Sequence, residues 1–255
     1  MLFLIGIGLE KGDISEKAME IIKKAEKLML DPYTNRINAD YIAYLEFKAD
    51  KKIFKLSRSD LEENASETIK SAKEEDVALL VPGDPLIATT HHTILDLAKG
   101  NGINVKVLHA ASIFTAAIGE SGLDIYRFGP TTTIPSWSEK YKPISFIDVI
   151  EKNLKNNEHT LVLLDYNYKE ERAMSFEEAL GLLQKAELER GVRIINKIIV
   201  LADVGKENQE IAFADKDILA KESGRFAGKV ISLIIPSNPN FAEEESLKKY
   251  SISSI

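Results

Sequence analysis

Leu2-Phe3-Leu4-Ile5-Gly6-Ile7-Gly8-Leu9-Glu10-Lys11-Gly12-Asp13 decides the fold. An apolar run of strand length stops at a pair of glycines. Ala18, Ile21, Ile22, Ala25 and Leu28 then recur at helical spacing, with Asp13 or Ser15 available to cap the helix. The run is too short for a signal-peptide core, lacks a basic leader and enters a turn at once, so it reads as a first strand. A dinucleotide-binding turn needs a small residue where Lys11 stands. A phosphate-binding P-loop would need Gly-Lys-Ser/Thr after four spacers, and that is absent too. What remains is a strand end where main chain can approach a ligand, a feature that is as often purely structural.

The same succession repeats outward from this stretch. Ser59 to Lys73 is expected as a polar-faced helix begun by Ser59 with Glu62 three residues later. Val77 to Val81 is a fully apolar strand that stops at Pro82-Gly83-Asp84-Pro85. Thr90 to Lys99 reads as a helix closed by Gly100 or Gly102, and Val105 to Leu108 as another strand. This order argues for a mainly parallel sheet with helices on its faces. Beyond about residue 115 the texture changes. Gly122 to Pro135 is rich in Gly, Thr and aromatics, Phe146 to Leu154 and Ser175 to Arg190 are helices, and Thr160–Leu164, Ile198–Leu201 and Val230–Ile235 are strands. A domain boundary is therefore expected near residues 110–120, dividing 1–112 from 113–255. Glu243-Glu244-Glu245 reads as the solvated start of a last helix.

Composition narrows the function classes. A net charge of -7 disfavours non-specific binding to nucleic acid. No apolar stretch approaches the length of a membrane helix. Without cysteine there is no disulfide, thiolate metal site or cysteine nucleophile, which fits a reducing cytoplasm. The four histidines offer little: His91 and His92 diverge on a helix, and His109 and His159 flank strands without metal-ligand spacing, so no metal is expected. No Gly-x-Ser-x-Gly elbow is present. Asp84, Asp165 and Asp203 follow or end strands, as hydrolytic acids or, more simply, as caps and turns. Asp84 lies in a turn stiffened by proline on both sides, at the strand edge where α/β proteins collect ligands, and can accept from an amine or a sugar hydroxyl.

These turns also carry a family resemblance. Leu4-Ile5-Gly6-Ile7-Gly8-Leu9, Gly12-Asp13-Ile14-Ser15, Asp31-Pro32-Tyr33-Thr34, Val81 to His91, Leu108 to Ile113, Gly119 to Leu123, Tyr126-Arg127-Phe128-Gly129, Pro143 to Phe146 and Ser232 to Pro236 form an ordered set over nearly the whole chain. The set resembles the diphthine synthase family of the tetrapyrrole-methylase-like superfamily, archaeal type. The chain departs from that pattern at Asp31-Pro32, Ala111 and Ala202-Asp203.

The resemblance implies two α/β domains, the first with a mainly parallel sheet and the second with a mixed one, and a cofactor cleft between them. It implies a cytoplasmic homodimer that uses S-adenosylmethionine and no metal. The acceptor it implies is the amino group of a 3-amino-3-carboxypropyl histidine on translation elongation factor two, methylated three times to give diphthine. Carried over position by position, the cofactor contacts fall at Leu9, Asp84, Ile87, Ser112, Ile113, Leu164, Ala202 and Leu233. Some of Tyr126, Phe128, Trp137 and Tyr141 are candidates for ring-face contact with the methylated ammonium, at about 1 kcal/mol each, and domain-interface core or dimer contact is an equal reading for them. A corrinoid or porphyrin-precursor methylase and a non-catalytic module for a nucleotide-like ligand are the competing readings.

Overall fold

A computed structural model describes residues 1–33, 36–167 and 170–252; Thr34, of the Asp31–Thr34 motif, lies outside the described residues. The chain divides into two compact units, Met1–Ile113 and Phe114–Ile255.

In the first unit, β1 (Leu2–Gly6), α1 (Glu16–Lys24), β2 (Lys27–Leu30), α2 (Ala39–Ala49), β3 (Ile53–Lys55), α3 (Arg58–Leu61), α4 (Ala65–Thr68), β4 (Val77–Val81), α5 (His92–Gly100) and β5 (Val105–Leu108) follow one another. The sheet runs β3-β2-β4-β1-β5, every pair parallel. Strands β1 and β4 are apolar throughout because both of their faces are covered. Phe3, Ile5 and Ile7 pack with Ala18 and Ile22 of α1 and Tyr41 and Leu45 of α2 on one face. Leu2, Leu4, Leu79 and Val81 pack with Ile94 and Ala98 of α5 on the other. The chain thus leaves β1 and β4, which are neighbours, toward opposite faces, and the ends of such strands form a crevice.

Two expectations are corrected here. Helix α1 stops at Lys24, and Leu28 extends its apolar spacing only by coincidence, since it lies in β2. Ser15 provides the cap, accepting from the Ala18 amide. The Ser59–Lys73 segment is three short pieces rather than one helix: α3, α4 and a 3₁₀ turn at Lys70–Lys73. Its cap is Ser57, in a reciprocal box with Asp60.

From α6 (Ile113–Glu120) onward, the second unit contains β6 (Thr132–Ile134), α7 (Ser145–Lys155), β7 (Thr160–Leu164), a short hairpin of β8 (Tyr166–Asn167) and β9 (Arg172–Ala173), α8 (Phe176–Arg190), β10 (Lys197–Ala202), β11 (Glu210–Asp215), α9 (Lys216–Lys221), β12 (Ile231–Ile235) and α10 (Phe241–Leu247). Its main sheet runs β11-β10-β12-β7-β6 and is mixed, with β6 and β7 parallel and the other pairs antiparallel. Inward residues of α7, α8, β7, β10 and β12 make one core around Phe146, Phe176, Val200 and Leu233. Among the described residues no helix is long and apolar enough to cross a membrane.

Candidate functional site

Three strand ends of the first sheet meet at their carboxyl edge. Gly8 and Gly83 pair as a two-residue bridge, the Gly83 amide donating to the Gly8 carbonyl at 2.8 Å and the Gly8 amide returning the bond at 3.2 Å. A Cβ on Gly6 would stand 2.7 Å from the Gly83 carbonyl oxygen, 2.9 Å from Ala110 Cβ and 2.9 Å from Pro85 Cδ, so only glycine allows the turns after β1, β4 and β5 to close together. Gly83 is different. It is buried with φ +76°, yet a Cβ there would find only the Ala111 carbonyl oxygen, at 3.9 Å. Its backbone borders open space at the strand edge.

Asp84 ties this edge together. Its Oδ1 accepts from the Leu86 amide at 3.0 Å, and its Oδ2 from the Ala110 amide at 3.3 Å and from His109 Nδ1 at 2.8 Å. His91, on the Thr-Thr-His stretch, links a fourth strand end. Its Nδ1 donates to the Pro85 carbonyl at 2.9 Å, and its Nε2 lies 3.2 Å from Asp31 Oδ2. Both side chains are buried, so this contact joins the end of β2 to the turn after β4 inside the protein. On the β1 side, Asp13 Oδ2 accepts from the amides of Leu9 and Glu10 at 2.8 and 3.0 Å, and the Tyr41 hydroxyl donates to the Ile7 carbonyl at 2.7 Å. Burial, with Asp13 and Tyr44 nearby, pushes the Tyr41 hydroxyl well above its usual range and keeps it a donor. With its amide engaged by Asp13, Leu9 has its carbonyl to offer a ligand.

The expected contacts fall into two groups. Leu9, Asp84, Ile87, Ser112 and Ile113 all follow strand ends on the laced edge of the first sheet. In the second unit, Leu201 and Leu163 flank Ser232, and Ala202 pairs with Ile231. One residue further along, Leu164 and Ala202 end their strands on either side of β12. Ala202 turns its side chain into the core with Leu164 packed against it, whereas Leu233 lies mid-strand in β12, paired with Val200 on one side and Val162 on the other and buried in the same core.

Sequence reasoning missed three things here. The histidines are not idle: three of the four sit against carboxylates. The acidic run does start the last helix, with Glu244 and Glu245 exposed, but Glu243 is buried rather than solvated. It accepts from the Asp124 amide at 3.0 Å and the Asn240 amide at 2.8 Å, pairs with Arg127, and lies 3.1 Å from His159 Nε2. The Asn240 cap and its spacing to Glu243 are the sequence signal that could have found this fixed position. Phe128 and Trp137, offered as ring-face contacts, are engaged inside the second unit. Phe128 meets His159 edge-on at 5.4 Å, while Trp137 donates to the Pro143 carbonyl at 3.1 Å with Lys185 over its ring. Tyr126, by contrast, is 93% exposed.

Neither Asp165 nor Asp203 is poised as a free acid. Asp165 accepts from the amides of Ser136 and Tyr166. Asp203 takes Lys206, Asn208 and the Val230 amide; burial pushes its carboxyl up, but these partners outweigh it and hold it below the usual range. The arrangement as a whole suits a ligand held by main chain at strand ends.

Residues 1–216 match the family of tetrapyrrole (corrin/porphyrin) methylases. Over 255 residues the chain is 36% identical to a diphthine synthase of Methanocaldococcus jannaschii, covering 97% of this chain and 98% of that one. It is likewise 36% identical to one of Methanothermobacter thermautotrophicus, over 97% and 94%. A crystal structure of diphthine synthase superposes with a TM-score of 0.87 at 30% identity, covering 98% of this chain and 95% of the other.

Proposed function

This chain belongs to the tetrapyrrole methylase family and is an S-adenosylmethionine-dependent methyltransferase of diphthamide biosynthesis, and from that premise we propose that it trimethylates the amino group of a 3-amino-3-carboxypropyl histidine on translation elongation factor two. The observation that carries the site is Gly83: buried main chain beside open space, at the edge where β1 and β4 leave the sheet toward opposite faces. A methyl donor built from an amino acid and a nucleoside fits that edge, which offers backbone carbonyls and amides and small residues.

We assign the donor contacts to Leu9, Asp84, Ile87, Ser112 and Ile113 on the first unit and Leu164, Ala202 and Leu233 on the second. When bound, the donor supplies an electrophilic methyl group on a sulfonium. Orientation by the chain and exclusion of water from the reacting atoms account for much of the acceleration in transfers of this kind. We further propose that the enzyme works as a cytoplasmic homodimer without a metal.

The deciding experiment incubates the protein with labelled S-adenosylmethionine and either the elongation factor bearing the aminocarboxypropyl histidine or a corrinoid precursor. Mass spectrometry of the factor is expected to show three added methyl groups. Label on the tetrapyrrole alone would replace this acceptor with the superfamily's other substrates.

A further inference from the structure

Of the three histidines paired with carboxylates, His109 alone is exposed, at 68% of its side chain, while its partner Asp84 is 6% exposed. His91 and His159 have both ring nitrogens engaged inside the protein. At His109 the engagement is one-sided. Asp84 already receives two backbone amides, so its carboxylate acts as an acceptor, and His109 Nδ1 carries the hydrogen of their 2.8 Å bond. In the neutral ring this leaves the lone pair on Nε2. A buried carboxylate that fixes tautomer and ring orientation, with the second nitrogen facing out, is the arrangement of an oriented general base. The ring stands three residues before Ser112, on the same edge as the donor contacts assigned above.

We propose that His109 is the catalytic base that removes the proton from the acceptor amine before each methyl transfer, with Asp84 as its positioning residue; the inference rests on the amine-methylation reading of this site. An aliphatic ammonium has no lone pair and is the dominant form of such amines near neutral pH. One N–H bond breaks, its electron pair stays on the acceptor nitrogen, and the proton bonds to His109 Nε2. The imidazolium charge is met by the Asp84 carboxylate. The freed nitrogen pair forms the bond to the methyl carbon, and the pair of the broken carbon–sulfur bond remains with the donor. The exposed ring then returns its proton to water. Three such rounds consume the three N–H bonds of the starting ammonium, and the trimethylated product has none left to lose.

The test compares wild type with H109A and H109N in single-turnover methylation of the modified elongation factor. Asparagine keeps a donor for Asp84 but offers no basic lone pair, so it controls for folding of the turn. Both variants are expected to lose about 10²- to 10⁴-fold in transfer rate, while S-adenosylhomocysteine affinity by calorimetry stays within about threefold. Added imidazole is expected to restore transfer by H109A in proportion to its concentration, which a purely structural role would not allow. Histidine-labelled wild type should show the Nδ1–H tautomer at His109 by nitrogen NMR. Wild-type-like rates in both variants, a rate loss matched by an equal loss of affinity, or no response to imidazole would each overturn the base. Failure of wild type itself to methylate the factor would instead overturn the acceptor assignment, so the two failures are separable.

Discussion

Asp84 Oδ2 and His109 Nδ1 lie 2.8 Å apart, joining two strand-end turns that are 25 residues apart in sequence. Because the same carboxylate also receives the amides of Leu86 and Ala110, a single side chain fixes the shapes of both turns. Asp84→Asn keeps the size but leaves one carbonyl oxygen to serve three donors. Unfolding in denaturant should show a loss of about 1–3 kcal/mol, the cost of an unsatisfied buried partner. The transfer rate should fall further than donor affinity, because ring orientation is lost as well. Native stability in the Asp84→Asn variant would mean that the turns are held by other contacts.

The glycines of the edge separate packing from ligand space. Gly6→Ala forces a methyl against the Gly83 carbonyl, Ala110 and Pro85, all within 3 Å, two of which belong to backbone-constrained groups. A loss of about 1–3 kcal/mol in unfolding free energy is expected, as in other overpacked sites. Gly83→Ala meets no such contact and bears only the strain of its positive φ, about 1–2 kcal/mol. Its methyl, however, enters the space beside the buried turn. Calorimetry with S-adenosylhomocysteine should therefore find the Gly83 variant the weaker binder and melting should find the Gly6 variant the less stable; the reverse ranking would remove Gly83 from the donor site.

β1 and β4 were legible in the sequence because they are continuous apolar runs stopped by glycine or by proline and glycine, a signal that depends on neighbours in the chain. β5, β7, β10 and β12 were legible as short runs dominated by Val, Ile and Leu. β2 was not, since its Leu28 continues the spacing of α1, and β11 was not, since Glu210-Ile211-Ala212-Phe213-Ala214-Asp215 is an edge strand with a short apolar signal. Side-chain pairings at long range left no local trace at all. Nothing near His109 reports Asp84, and nothing near Glu243 reports the ring of His159, 84 positions earlier. Sequence could place the strand ends and the turns that follow them, and had no means of finding the side-chain pairings that join those turns.

Glu243 should be among the costliest side chains to truncate in the second unit. It holds Arg127, His159 and the amides of Asp124 and Asn240 with its carboxylate 3% exposed, so removal leaves several buried donors unmet. Glu243→Ala is expected to destabilise by about 3–5 kcal/mol. Glu243→Gln, which keeps the shape and part of the acceptor capacity, should cost less. Denaturant titration of the pair checks this, and equal losses would show that shape rather than charge is what the cluster requires.

Acid should weaken the same cluster in a predictable order. Burial depresses the pKa of His159 below 6.5, more strongly than its hydrogen bond and charge interaction with Glu243 raise it, with Arg127 opposing the cation and Asp124 favouring it. The unfolded chain then takes up a proton on this ring below about pH 6.5 while the folded chain resists, so stability contributed here is full above that value and declines as pH falls. For Glu243, burial raises the carboxyl but the amides of Asn240 and Asp124 and the His159 ring outweigh it, holding it below 4.5. Its contribution is present above that value and is lost as pH falls through the folded pKa. Replacing the ring by His159→Gln removes the first titration and, by withdrawing one of the partners of Glu243, lessens the second. The stability gap between wild type and His159→Gln should consequently narrow as pH is lowered from about 7.5 to about 4. Urea unfolding at several pH values reads the gap directly; a gap that stays constant or widens on acidification would mean that His159 is protonated in the folded cluster.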